Sequence, residues 1–133
     1  MQTSELIKLY YDRFNEGDMQ QFLALLDDDV VHDLNQGERQ IGKAQFGNFM
    51  RRMNHSYKEN IKKLIIMVSS DNQHAAAEYV VEGTYLATDE GLPAAHNQKY
   101  VIPGGAFFVI QNGKIARVTN YYNLNDWLAQ VTK

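Results

Sequence analysis

Cysteine is absent from the chain. Disulfides, thiol nucleophiles and thiolate metal sites are therefore excluded, and the composition fits a reducing compartment. An excess of cations is absent too. Thirteen Lys and Arg against sixteen Asp and Glu leave a net charge of −3, whereas nucleic-acid binding needs clustered Lys and Arg against the phosphates. The two short basic pairs, Arg51-Arg52 and Lys62-Lys63, read as solvated surface. No apolar run approaches the roughly 20 residues that cross a bilayer as a helix. The segment Met1–Lys8 lacks a cationic start followed by an apolar run, so no secretory signal is visible. His32, His55, His74 and His96 fall in neither His-x-His nor His-Glu-x-x-His spacing, which argues against a metal site. Nucleophile-elbow, phosphate-loop and dinucleotide fingerprints are missing as well. What remains is a cytoplasmic enzyme or binding protein with no cofactor, no metal, and neither nucleic acid nor membrane as partner.

The 133 residues suit one domain spanning 1–133, with 44% apolar and 22% charged residues. The organising stretch is Gln98–Tyr122, two β-rich runs around Asn112-Gly113, the strongest short hairpin signal because both residues tolerate positive φ. Such a hairpin needs partners over one face, and the earlier chain supplies them. Thr3 or Ser4 can cap a first helix carrying Ile7, Tyr10, Tyr11 and Phe14 at i, i+3, i+4 and i+7, ended by Gly17. Asp18 caps a second helix with Phe22, Leu25 and Leu26 inward, closed by Asp27-Asp28-Asp29. Val30–Leu34 reads as a short strand and 35–40 as a polar turn. Gly42 introduces a third helix with Phe46, Phe49, Met50 and Met53 on one face. Strands follow over Ile61–Ser69 and His74–Leu86, then a loop over Ala87–Asn97, the hairpin, and a short C-terminal helix starting at Asn123 or Asn125. Helices first and an antiparallel sheet later make an α+β layout. Pro103-Gly104-Gly105 inside a strand marks a bulge or a close backbone approach, so the sheet is expected to curve around the helices and enclose a pocket.

Within that layout Asp33 stands out. A period of two puts it on one strand face with Val31, opposite Val30, His32 and Leu34. A carboxylate in apolar surroundings has a raised pKa and can serve as a base near neutral pH. On the last strand, Asn120 and Tyr122 share one face, with Arg117 and Tyr121 on the other. Asn and Tyr at the mouth of a sheet can donate hydrogen bonds to a carbonyl or enolate oxygen. Tyr10 and Tyr11 are core aromatics that could also donate.

These residues, in this order, carry a resemblance. Tyr10…Asn15-Glu-Gly-Asp18, Leu26-Asp-Asp-Asp-Val-Val-His-Asp33, Ile41-Gly42, Gly83-Thr84, Gly105–Ile115 and Thr119–Leu124 resemble the NTF2-like superfamily in its SnoaL-like, ketosteroid-isomerase-related branch. The resemblance implies a cone: a curved antiparallel β-sheet wrapped on three N-terminal helices. It places Asp33 where ketosteroid isomerases keep their general base, Tyr10 at an oxyanion-hole tyrosine, and Asn120 where SnoaL-type cyclases carry a basic aspartate. Tyr122 would line the cavity beside it. Gly105 stands where the isomerases keep a second oxyanion-hole acid, so that donor is missing here. Phe14, Val31, Phe49, Met53, Gly105, Phe107 and Val118 would complete the pocket wall. The implied activity is cofactor-free removal of a proton α to a carbonyl of a small apolar substrate, as in an isomerase or lyase. A non-catalytic binding protein for such a ligand is the alternative. The resemblance also implies a homodimer through the outer sheet face.

Overall fold

The computed structural model describes residues 1–133. Helix α1 (Thr3–Glu16) and a short α2 (Met19–Leu23) precede strand β1 (Leu26–Asp33), strand β2 (Arg39–Ile41) and helix α3 (Lys43–Ser56). Four long strands then meander, β3 (Tyr57–Val68), β4 (His74–Tyr85), β5 (Gln98–Gln111) and β6 (Lys114–Tyr122), before helix α4 (Leu124–Val131). The six strands form one sheet in the order β2-β1-β6-β5-β4-β3. The α+β expectation holds, with one difference: β1 runs parallel to β6, so the sheet is mixed. No helix is long and apolar enough to cross a membrane.

Local chemistry explains most of these elements. Gly17 ends α1 at φ 74°, a left-handed cap that costs glycine nothing. Asp18 caps α2 by accepting a hydrogen bond from the Gln21 N–H, at 3.1 Å. Asn112 and Gly113 turn the β5–β6 hairpin with φ of 52° and 73°, the paired positive values of a type I′ turn. Thr3 does not cap α1; its hydroxyl donates to the Asn72 carbonyl at 2.7 Å and ties the helix to the β3–β4 turn. The second helix is shorter than its apolar spacing predicts. The Leu25 carbonyl accepts from the Ile115 N–H at 3.0 Å, and Leu26 pairs with Ile115. Strand pairing thus takes over before the helix can continue, and Asp27–Asp29 become strand residues. The segment read as a polar turn contains β2, which pairs with β1 from Val31–Ile41 to Asp33–Arg39.

The helices pack into the concave face. Leu6, Ile7, Tyr10 and Tyr11 of α1 are buried with Phe22, Phe46 and Phe108. The Tyr10 ring lies 4.6 Å from Phe22 and 5.4 Å from Phe108. Asn15 secures the far end of α1: its carboxamide exchanges two hydrogen bonds with the Ile61 N–H and C=O, at 2.7 and 3.0 Å. This covers part of the free edge of β3. Trp127 of α4 packs edge-on against Tyr85 and Tyr100, at 5.0 and 6.0 Å.

Pro103-Gly104-Gly105 does not form a bulge, because the β4–β5 register runs unbroken from His74–Val109 to Tyr85–Gln98. The glycines serve close approach instead. Tyr79 pairs with Gly104, and Gly83 pairs with Tyr100, so each tyrosine ring lies over the bare backbone of its partner. A Cβ on Gly104 would come within 2.7 Å of the Tyr79 ring, and one on Gly83 would overlap the Tyr100 ring. Gly83→Ala should destabilise the protein by about 1–3 kcal/mol, the usual cost of overpacking, read as a lower urea midpoint with an unchanged slope.

Candidate functional site

A cavity of about 910 Å³ opens between the concave face of the sheet, α1, α3, the 86–97 loop and α4. Its size is that of a small-molecule site. Tyr10, Tyr11, Phe14, Phe46, Phe49 and Met53 give it an apolar wall. Polar groups interrupt this wall, among them one beside β1 and one beside β3.

The first group is His32 with Asn120. On β1 the inward residues are Leu26, Val30 and His32, all essentially buried. His32 stacks on Phe46 with centroids 4.0 Å apart and meets Phe49 edge-on at 4.8 Å. Its Nε2 lies 3.3 Å from the Asn120 amide nitrogen. Burial pulls the His32 pKa down to about 4, against the opposing effects of Gln40 and the Asp33 charge. The ring is therefore neutral at physiological pH.

The second group is Glu59. Tyr57, Glu59 and Ile61 alternate inward on β3, and the Tyr100 hydroxyl donates to Glu59 Oε2 at 2.6 Å. Burial raises the Glu59 pKa, and the Tyr100 hydrogen bond only partly opposes it. Tyrosines surround this carboxylate. Burial and the Glu59 charge push Tyr79 up to about 12 and raise Tyr122 as well. Burial raises Tyr10 further, with Tyr79 adding to the effect. The Tyr11 hydroxyl is buried without a hydrogen-bond partner, and its ring lies 5.4 Å from that of Tyr79. All of these phenols stay protonated at neutral pH and available as donors.

Six of the residues singled out in the sequence line the cavity: Tyr10, Phe14, Phe49, Met53, Asn120 and Tyr122. Five do not. Asp33 points to the convex side, where Arg39 holds it with two hydrogen bonds at 2.6 and 3.1 Å and Thr119 donates a third at 3.0 Å. The Arg39 hydrogen bond, then that of Thr119 and the charges of Arg39 and Arg117, keep its pKa below the usual carboxylate value. Asp33 is thus a paired surface carboxylate, and the inward place belongs to His32. Val31 shares the outward face of Asp33, opposite Ile41 and Arg117. Gly105 pairs with Glu78 and Tyr121. Phe107 is half exposed on the convex face, 5.8 Å from the Tyr121 ring. Val118 is fully buried in the core.

The strand phase was legible in the residues. Val30 and Leu34 outnumber Val31 as apolar residues, and they share the face of His32, which marks that face as the inner one. Glu59 was missed because β3 was read as starting at Ile61. The alternation Tyr57, Glu59, Ile61 was the signal that extends the strand.

Fold and cavity together define a class: an α+β cone with a pocket sized for a small molecule. Residues 7–118 match the SnoaL-like domain family, and the chain belongs to that family, within the NTF2-like superfamily. No functionally curated protein matches it in sequence. Among solved structures, a protein of Pseudomonas putida KT2440 provisionally assigned as a polyketide cyclase is 60% identical, with a TM-score of 0.97 over 98% of both chains. A similarly assigned protein of Xanthomonas campestris pv. campestris is 52% identical, with a TM-score of 0.94 over 97% of this chain and 96% of its own. An NTF2-like protein of unknown function from Burkholderia pseudomallei K96243 shares the fold, with a TM-score of 0.82 at 13% identity over 98% of both chains.

The Asp33 pairing makes a pH prediction. Its folded-state pKa is depressed, so its contribution is present above the unfolded value near 4 and disappears as pH falls through the folded value. Asp33→Asn should cost less than about 1 kcal/mol at pH 7, given the exposed partner. In urea melts the difference from wild type should vanish at acid pH.

Proposed function

We propose that this protein is a cofactor-free enzyme of the isomerase or lyase type. It moves a proton from the carbon α to a carbonyl in a small, largely apolar substrate, and Glu59 carries that proton. The supporting observation is the placement of Glu59: a partly buried carboxylate in the cavity wall, raised in pKa, with protonated tyrosines around it. A base of raised pKa is better matched to α-protons than an ordinary surface carboxylate.

In this reading the C–H electron pair passes into the enolate and the carbonyl oxygen takes the negative charge. Tyr10 and Tyr79 donate hydrogen bonds to that oxygen, and each is a stronger stabiliser of the enolate than of the neutral ketone. Glu59 then returns the proton to another carbon, which completes an isomerisation. Where the substrate holds a second carbonyl, the enolate carbon can instead attack it and the new alkoxide takes the proton. That route closes a ring, and the provisional assignments of the two close relatives fit this branch of the same chemistry. Phe14, Phe49 and Met53 exclude water.

The test is deuterium incorporation at the α-carbon of a panel of cyclic ketones in D₂O. Wild type and Asp33→Asn should exchange at similar rates, and Glu59→Gln should lose about 10²–10⁴-fold. Exchange that survives Glu59→Gln would remove Glu59 from the role. A wild type that binds these ketones without exchange would favour ligand holding without turnover. Stability separates a catalytic loss from misfolding. Because burial raises the Glu59 pKa, the folded state loses stability as pH rises from the unfolded value near 4.3 to the folded one. Gln carries no such penalty and can still accept from Tyr100, so Glu59→Gln should melt at an equal or higher temperature than wild type at pH 8. This relative gain should shrink on acidification.

We also propose that a second copy covers the convex face. Met67, Ala76, Phe107 and Thr119 form one cross-strand row and Ile65, Glu78, Gly105 and Tyr121 the next, so that apolar side chains surround one exposed carboxylate. Ile65, Met67, Phe107 and Tyr121 are each about half exposed, and an apolar patch of this extent is characteristic of an interface. Sedimentation at micromolar concentration should give a dimer for wild type and a monomer for Phe107→Glu.

A further inference from the structure

The His32 group contains two buried atoms with nothing to bond. His32 Nδ1 and Gln40 Oε1 are both shielded from solvent and have no hydrogen-bond partner. They belong to register partners, since His32 on β1 faces Gln40 on β2. On the other side β1 runs beside β6, with His32 opposite Val118. Asn120 is two residues further along β6, on the same face, and its amide meets His32 Nε2. The imidazole therefore stands between two carboxamides, clamped by Phe46 and Phe49. Asn120 lines the cavity; Gln40 does not.

One proton arrangement gives each unpartnered atom of this row a complementary neighbour. A neutral imidazole has one donor and one acceptor nitrogen. With the proton on Nδ1, that nitrogen becomes the donor that Gln40 Oε1 lacks, and one bond closed between them would remove both orphans. Nε2 then accepts one N–H of Asn120. The Asn120 carboxamide is left with its Oδ1 and a second N–H, which hold no other side-chain hydrogen bond.

We propose that Gln40, His32 and Asn120 form a relay whose outcome is a fixed Asn120 carboxamide, a binding subsite for an uncharged oxygen, hydroxyl or ketone, on an otherwise apolar ligand. Asn120 touches the ligand; His32 and Gln40 are positioning residues. A hydroxyl both donates and accepts, which matches the two groups Asn120 has left. A carboxylate would meet a repelling Oδ1, and Arg52, a cation of the same wall, is engaged over the Phe49 ring. The subsite is remote from the proposed proton carrier. Asn120 pairs with Ala106 and so reaches Ala77 of β4, whereas Glu59 pairs with Gly83. Six residues of β4 separate the two rows, about 20 Å along the strand before curvature. The inference rests on the reading of the cavity as a small-molecule site, and not on the role of Glu59.

Two experiments test it. In the unliganded protein, ¹⁵N-resolved NMR of the imidazole at pH 7 should show His32 protonated on Nδ1 and bare on Nε2, with the Nδ1 proton resonance altered in Gln40→Leu. Protonation on Nε2 would overturn the relay. Binding of 2-naphthol, naphthalene and 2-naphthoate, followed by NMR titration, tests the subsite. Asn120→Leu should weaken 2-naphthol about tenfold and leave naphthalene within about twofold. His32→Leu should reproduce part of that loss, and His32→Gln, which keeps an acceptor, should restore it. Equal effects on 2-naphthol and naphthalene, or preference for 2-naphthoate over 2-naphthol, would overturn the proposal. Failure of all three probes to bind the wild type would overturn the pocket reading and this inference with it, whereas loss of ketone exchange alone would touch only the enzymatic reading.

Discussion

The cavity depends on two reciprocal contacts in the β4–β5 ladder, Tyr79 over Gly104 and Tyr100 over Gly83. Glycine within a strand sacrifices packing and backbone entropy, and here it admits a ring onto the peptide plane. Tyr100 starts on β5, crosses β4 at Gly83 and delivers its hydroxyl to Glu59 on β3. With any Cβ at position 83 that path is blocked. The same device sets Tyr79 over Gly104, with its ring 5.4 Å from that of Tyr11 and tilted by 54°. A fold-level feature, the unbroken register of two long strands, thus decides which phenols reach the carboxylate.

Placing a carboxylate there is costly. Burial disfavours its charged form, and one phenolic hydrogen bond restores only part of the lost hydration. The surrounding structure offsets that cost. A continuous core runs from Leu6 and Ile7 through Phe22 and Phe108 to Trp127, and α4 is fastened to the sheet by Gln130, whose side chain bonds the Val101 N–H and C=O at 2.9 Å each. Packing remote from the site is what permits a destabilising group within it, the usual arrangement where chemistry needs a displaced pKa.

The periodic parts of the fold were legible in the sequence. Helical spacing located Ile7–Phe14 and Phe46–Met53, and Asn112-Gly113 located the hairpin, because these signals are local. Less legible were features set by pairing. The second helix stops early because Leu26 joins Ile115. The sheet contains a parallel pair that no turn announces. Ala116 falls in an irregularity of the β5–β6 register between Ile115 and Arg117, which lets Ile115 and Val118 both face inward and breaks the simple alternation. Of the candidate site, the aromatic wall was readable, and so were Tyr10 and Asn120. Glu59 depended on where β3 begins, a boundary that propensity defines poorly.

The phase of β1 has the largest chemical consequence. Shifting a strand by one residue exchanges its faces, and His32 and Asp33 are neighbours. Were Asp33 inward, the end of the cavity near β1 would hold a charge among Val30, Phe46 and Phe49, without the hydrogen bonds that Arg39 and Thr119 now give it. The observed phase sends that charge out to Arg39 and turns in an imidazole, which burial keeps neutral. The two polar ends of the cavity consequently differ in kind. One is uncharged and suited to recognising an oxygen; the other holds an ionisable carboxylate ringed by phenols and suited to moving a proton. In the proposed reading, proton transfer falls to the β3 side and the row on the β1 side orients the ligand.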